Sequence, residues 1–124
     1  LKMILNKYGL IVDECWKDLP NHYCNCQLDN YVIMPDHIHG ILAINNSTNI
    51  SKKYSVSEIL RGFKTFSSKN INKIVSEAKS FQWQKSFYDR VIRNEKELFE
   101  IRKYIDQNPM KWEYDKSLRE NIYM

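Results

Sequence analysis

Apolar positions along this chain follow two rhythms, and the change between them divides it into elements. From Asn25 to Met34 the pattern reads extended, it breaks at Pro35-Asp36, and it resumes as an extended run from Ile38 to Ile44. Two strands with so short a connection pair as an antiparallel hairpin. Upstream, Leu10, Ile11, Cys15 and Leu19 recur at helical spacing behind Asn6, predicting a first helix over Lys7 to Asp18. Gly9 weakens its first turn, and Pro20-Asn21 ends it. After a polar loop from Asn45 to Ser57, with Ser57 as the cap, a second helix carries Ile59, Leu60, Phe63, Phe66, Ile71 and Ile74 as an apolar stripe. Phe87 to Ile92 reads as a further strand, and Asn94-Glu95-Lys96-Glu97 as a capping-box-like start to a third helix. That helix runs through Leu98, Ile101 and Ile105 and stops at Asn108, because Pro109 disfavours the helical conformation before it. Leu1 to Leu5 is a short apolar piece suited to an edge strand, and Met110 to Met124 is a polar, helix-like tail.

Composition narrows the class. At 124 residues, 43% hydrophobic and 13% aromatic, the chain has the size and apolar content of one packed domain. No apolar run is long enough to span a bilayer and no secretion signal opens the sequence, so the expected compartment is the cytoplasm. Three glycines in all give no phosphate-cradling loop, and no serine elbow is recognisable. Cys15, Cys24 and Cys26 read as reduced thiols, although His22-x-Cys24-x-Cys26 allows a metal site if a fourth ligand is near.

A net charge of +4 permits nucleic-acid binding without demanding it, so the placement of charges decides. Arg61 and Lys64 fall on the polar side of the second helix, where they are either a solvated face or a phosphate track. Trp83 stands near Lys85, Arg90 and Arg93, a mixture that can stack unpaired bases while cations take the backbone, or can simply be core. The sharpest feature is His37-Ile38-His39 at the head of the second strand. Side chains two apart in a strand share a face, so both imidazoles converge on one point suited to a divalent metal. Tyr104 and Asn108, four apart, share a face of the third helix, with Gln107 three from Tyr104.

Three stretches together resemble a known family. Tyr31-Val32-Ile33-Met34-Pro35-Asp36-His37-Ile38-His39-Gly40, the later Trp83-Gln84 with Phe87-Tyr88-Asp89-Arg90-Val91-Ile92-Arg93-Asn94, and Tyr104-Ile105-Asp106-Gln107-Asn108-Pro109 occur in this order. They are similar to the REP-associated branch of the single-tyrosine, insertion-sequence-type transposases, within the HUH endonucleases, from about Met3 to Trp112. The resemblance implies a single α+β domain over residues 1–124, with a ferredoxin-like antiparallel sheet backed by helices. It also implies cleavage and rejoining of single-stranded or hairpin DNA through a covalent 5′-phosphotyrosine, as monomer or homodimer. Tyr104 is then the nucleophile, and His37, His39 and Asn108 hold Mg or Mn, with Gln107 the rival third ligand. On the same reading Arg61, Lys64, Lys85, Arg90 and Arg93 contact DNA, and Trp83 or Trp112 stacks on bases. One departure stands out. Family members carry a strand and loop before the segment matching Met3-Ile4-Leu5, so this chain is shortened at its N-terminus or its sheet lacks that strand.

Two other classes compete. A non-catalytic nucleic-acid-binding domain keeps the basic face but has no use for the histidines and Tyr104 together. A zinc-dependent hydrolase uses the histidines, but binds zinc stoichiometrically and is indifferent to Tyr104.

Overall fold

In the computed structural model, residues 6–34, 37–47, 52–74, 81, 83 and 89–108 are described. Their architecture is α+β, a two-stranded antiparallel sheet with helices, as the sequence pattern predicts. The elements are α1 (Lys7–Lys17), α2 (Leu19–His22), β1 (Cys26–Ile33), β2 (Ile38–Ile44), α3 (Val56–Asn72) and α4 over 95–108. The chain divides into two compact units. One comprises Leu1–Ile4, Asn30–Ile41 and Val91–Met124; the other comprises Leu5–Asp29 and Leu42–Arg90.

The second of these units is mostly helical. Asn6 caps α1 as expected, its Oδ1 accepting from the amides of Tyr8 and Gly9 at 3.1 and 2.9 Å. The buried face of α1 is Val12 and Trp16 rather than the row through Leu10 that spacing predicts, and Leu10 is exposed. Trp16 meets Phe63 of α3 edge-on at 5.2 Å. Pro20 does not simply end the first helix; it sits in the first turn of the short α2, where its missing N–H costs nothing. The cap of α3 is Ser55, not Ser57: its Oγ accepts from the Glu58 amide at 3.1 Å. Ile59, Phe63, Ser67 and Ile71 form the buried row of α3, while Phe66 and Ile74 face out. Asn25, wholly buried, brackets the approach to α3 by donating to the Tyr54 carbonyl and accepting from the Tyr54 amide.

The other unit holds the end of β1, the start of β2, and α4. The Met34 amide donates to the His37 carbonyl at 2.8 Å, tying the strand ends together. Asn94 caps α4, accepting from the Glu97 amide at 2.8 Å, and the Glu97 carboxylate reaches back to the Arg93 amide at 3.4 Å. Ile33, Met34, Ile41 and Ile105 are its buried apolar residues. Residues 89–92 are irregular, which corrects that end of the strand expected over Phe87 to Ile92; 84–88 lie outside the described residues. Leu1 to Leu5 and Met110 to Met124 lie outside them too.

Candidate functional site

His37 immediately precedes β2 and His39 is its second residue, and their spacing of two brings both rings to one side of the strand's start. Their ring centroids lie 4.6 Å apart and nearly perpendicular, at 88°. On α4, Tyr104 brings its ring to 5.7 Å from His39, edge-on at 83°. The phenol and the two imidazoles, 65 or more residues apart in sequence, thus form one cluster within one unit. The face they occupy is open: Tyr104 is 48% exposed and both histidines are half-buried.

Electrostatics favours neutral imidazole here. Burial first, and the charge of neighbouring His37 second, hold His39 below the usual histidine range. A neutral ring keeps a lone pair for a metal or a proton. With ring centroids 4.6 Å apart, the two imidazoles are close enough that one nitrogen of each could reach a single ion. Among the described residues no three His, Cys, Asp or Glu side chains gather as a metal site. A cation at the pair therefore needs oxygen from elsewhere.

The two amides at the end of α4 are in contrasting places. Gln107 is exposed, whereas Asn108 is buried at 8% accessibility and its Nδ2 has no hydrogen-bond partner among the described residues. A half-turn of that amide exchanges nitrogen for oxygen, so Asn108 is equally a buried acceptor one helical turn beyond Tyr104.

The residues assigned to DNA are dispersed. Arg61 is exposed on α3 and Lys64 half-buried on the same helix, while Arg90 and Arg93 are exposed on the segment before α4. Lys85 and Trp112 lie outside the described residues. Trp83 is half-buried and packed. Its Nε1 donates to buried Ser67 Oγ at 2.8 Å, and its ring lies 5.6 Å from Phe63 and 5.2 Å from Phe81. The His22-x-Cys24-x-Cys26 idea finds no support, because no three such side chains gather as a metal site among the described residues; His22 is hydrogen-bonded to Asp18 at 2.6 Å and stacked on Phe66 at 5.5 Å. Hydrogen bonds from Asn21 and then His22 hold the Asp18 carboxyl below its ordinary range. The cysteines are free thiols, as predicted, and burial pushes those of Cys15 and Cys26 up.

Asn30 and Asp106 were not singled out by any sequence pattern. Asn30 Nδ2, on β1, donates to Asp106 Oδ1, on α4, at 3.1 Å. No local spacing signals a pair 76 positions apart.

Comparison with known proteins matches residues 11–108 to the family described as Transposase IS200 like. An uncharacterized protein of Haemophilus influenzae is similar, 31% identical over 135 residues, spanning 92% of this chain and 71% of that protein. No solved structure matches the chain. Among the described residues, no helix is long and apolar enough to cross a membrane.

Proposed function

Because the chain belongs to the IS200-like transposase family, whose work is DNA transposition, we propose that it cuts and rejoins single-stranded DNA with Tyr104 as nucleophile. One observation carries this reading: the Tyr104 ring stands against His39, which in turn stands against His37. A tyrosine on a packed helix beside two imidazoles, that of His39 held below its ordinary range, is a candidate nucleophile next to a candidate cation site, an arrangement that a binding module does not need.

Tyr104 Oη attacks the scissile phosphorus and the bond from phosphorus to the 3′-oxygen breaks. The phenol proton passes to solvent at this open face, and the departing oxygen takes a proton to become a 3′-hydroxyl. The product is a 5′-phosphotyrosine. Attack by a 3′-hydroxyl on that linkage rejoins the strand and restores the phenol, so phosphodiester energy is kept and no ATP is needed.

The residues present fit a divalent ion, Mg or Mn. His37 and His39 would hold it through ring nitrogens, and Asn108, a buried amide whose Nδ2 has no partner among the described residues, would add an oxygen in preference to exposed Gln107. Such an ion, when bound, polarises the scissile phosphate and offsets the charge that builds on it. Arg61, Lys64, Lys85, Arg90 and Arg93 would neutralise phosphates of the strand; hairpin-bearing strands are the expected substrate.

The test is incubation with plain and hairpin-bearing single-stranded oligonucleotides, with and without Mn, followed by denaturing electrophoresis. A metal-dependent protein-DNA adduct that Tyr104→Phe abolishes while DNA binding survives is the expected result. Binding with no adduct under any condition would return the chain to the class of non-catalytic nucleic-acid binders.

A further inference from the structure

Successive helix residues turn by about 100° around the axis, so Tyr104 and Asp106 flank Ile105 on opposite sides. Ile105 is buried at 3% accessibility, under the C-terminal half of α4. On one flank Tyr104 meets His39 of β2, and on the other Asp106 accepts a hydrogen bond from Asn30 of β1 at 3.1 Å. The helix is thus held at both sides of its buried line.

We propose that the Asn30–Asp106 hydrogen bond is a roll lock, a positioning pair that fixes the rotation of α4 on the hairpin and so presents Tyr104 to the histidines. The inference rests on the reading of Tyr104 as nucleophile and names what aims it. The apolar contact of Ile105 cannot do this alone, because burial is non-directional and tolerates rotation. A phenol oxygen on a helix stands on the order of 9 Å from the axis, so a roll of about 10° swings it about 1.5 Å. Displacement of about 1 Å is enough to cost roughly a hundredfold in a reaction that depends on alignment. The same roll moves a carboxylate about 1 Å, which either compresses a hydrogen bond or carries it past its range. The bond between Asn30 and Asp106 therefore resists rotation at the scale that matters for Tyr104. Being at the surface, it contributes little to global stability.

The test is a swap. Asp106→Ala deletes the acceptor, and Asn30→Asp sets two carboxylates face to face without shortening either side chain. Asn30→Asp combined with Asp106→Asn exchanges donor and acceptor and restores both the bond and the net charge. Two readouts are taken: the single-turnover rate of adduct formation at saturating single-stranded DNA, and, without DNA, the nuclear Overhauser contact between the Tyr104 and His39 rings. Each single variant is expected to lose about tenfold or more in rate and to weaken the ring contact, with DNA affinity not reduced in Asp106→Ala, which removes a negative charge. The double variant recovers both. Single variants that keep the wild-type rate and ring contact, or a double variant as slow as the singles, would overturn the lock. If wild type makes no adduct, the proposed activity fails, and the ring contact alone decides whether the helix is held as described.

Discussion

Replacing Trp83 by Leu separates packing from base stacking. The substitution removes the indole N–H that donates to Ser67 and the ring contacts with Phe63 and Phe81. Ser67 is not stranded, since its hydroxyl still donates to the Phe63 carbonyl at 2.7 Å. The lost hydrogen bond is therefore at the ordinary net value, about 1 kcal/mol. Each lost aromatic contact adds about 0.5–1 kcal/mol, and the smaller side chain somewhat less, for a total of about 3 kcal/mol. For a chain of this length that lowers the thermal midpoint by roughly 10 °C. Thermal unfolding followed by near-UV circular dichroism reads the stability. Fluorescence anisotropy with a labelled single strand, well below the transition, reads affinity, which is expected to stay within about twofold of wild type. A base stacked on this ring predicts the reverse, because loss of such a stack costs about 1–3 kcal/mol of binding. An unchanged midpoint with affinity down tenfold would refute the assignment of Trp83 to packing against Phe63, Ser67 and Phe81.

Three further outcomes follow from named contacts. Gly62→Ala should destabilise despite its better helix propensity: a methyl there runs into Tyr23 Oη, and the Tyr23 ring is itself packed against Tyr54 at 4.9 Å. The strain of moving that ring, about 1–3 kcal/mol, outweighs the roughly 1 kcal/mol gained, and urea unfolding showing a net gain would contradict it. Because folding holds His39 below its ordinary value of 6.5, the unfolded chain binds the extra proton first. Metal-free stability should then fall as pH drops through about 6.5 and level off below the folded-state value, and His39→Asn should flatten that slope; an identical slope in the variant counts against it. Asn108→Ala should weaken Mn binding about tenfold or more, read by paramagnetic resonance of the free ion, with Gln107→Ala neutral. The opposite ranking would transfer the ligand role to Gln107.

What could be read from the chain was whatever local spacing encodes. The Asn6 and Asn94 caps, the limits of β2, and the shared face of His37 and His39 each follow from residues within one turn or one pleat of each other. The cap of α3 was misplaced although its signal was present: Ser55 has a carboxylate three residues on, at Glu58, and Ser57 does not. The buried row of α3 includes a serine because Ser67 satisfies its hydroxyl on the turn before it and receives Trp83, a contact no periodicity count registers. Likewise Leu10 and Val12 are equally apolar, and only the position of α3 decides which is covered. At the site, the pairing of imidazoles was legible from spacing, whereas the approach of Tyr104 depended on a resemblance. The bond between Asn30 and Asp106 was legible from neither, since tertiary contact alone creates it.

On the proposed function, the phenol at position 104 and the imidazoles at 37 and 39 act as one reaction centre. Its most direct test is mass spectrometry of proteolysed adduct formed with Mn and single-stranded DNA. The expected product is a peptide containing Tyr104 with a nucleotide joined through its 5′-phosphate, absent when both histidines are replaced by alanine. A nucleotide on any other residue, or one joined through its 3′-phosphate, would contradict it.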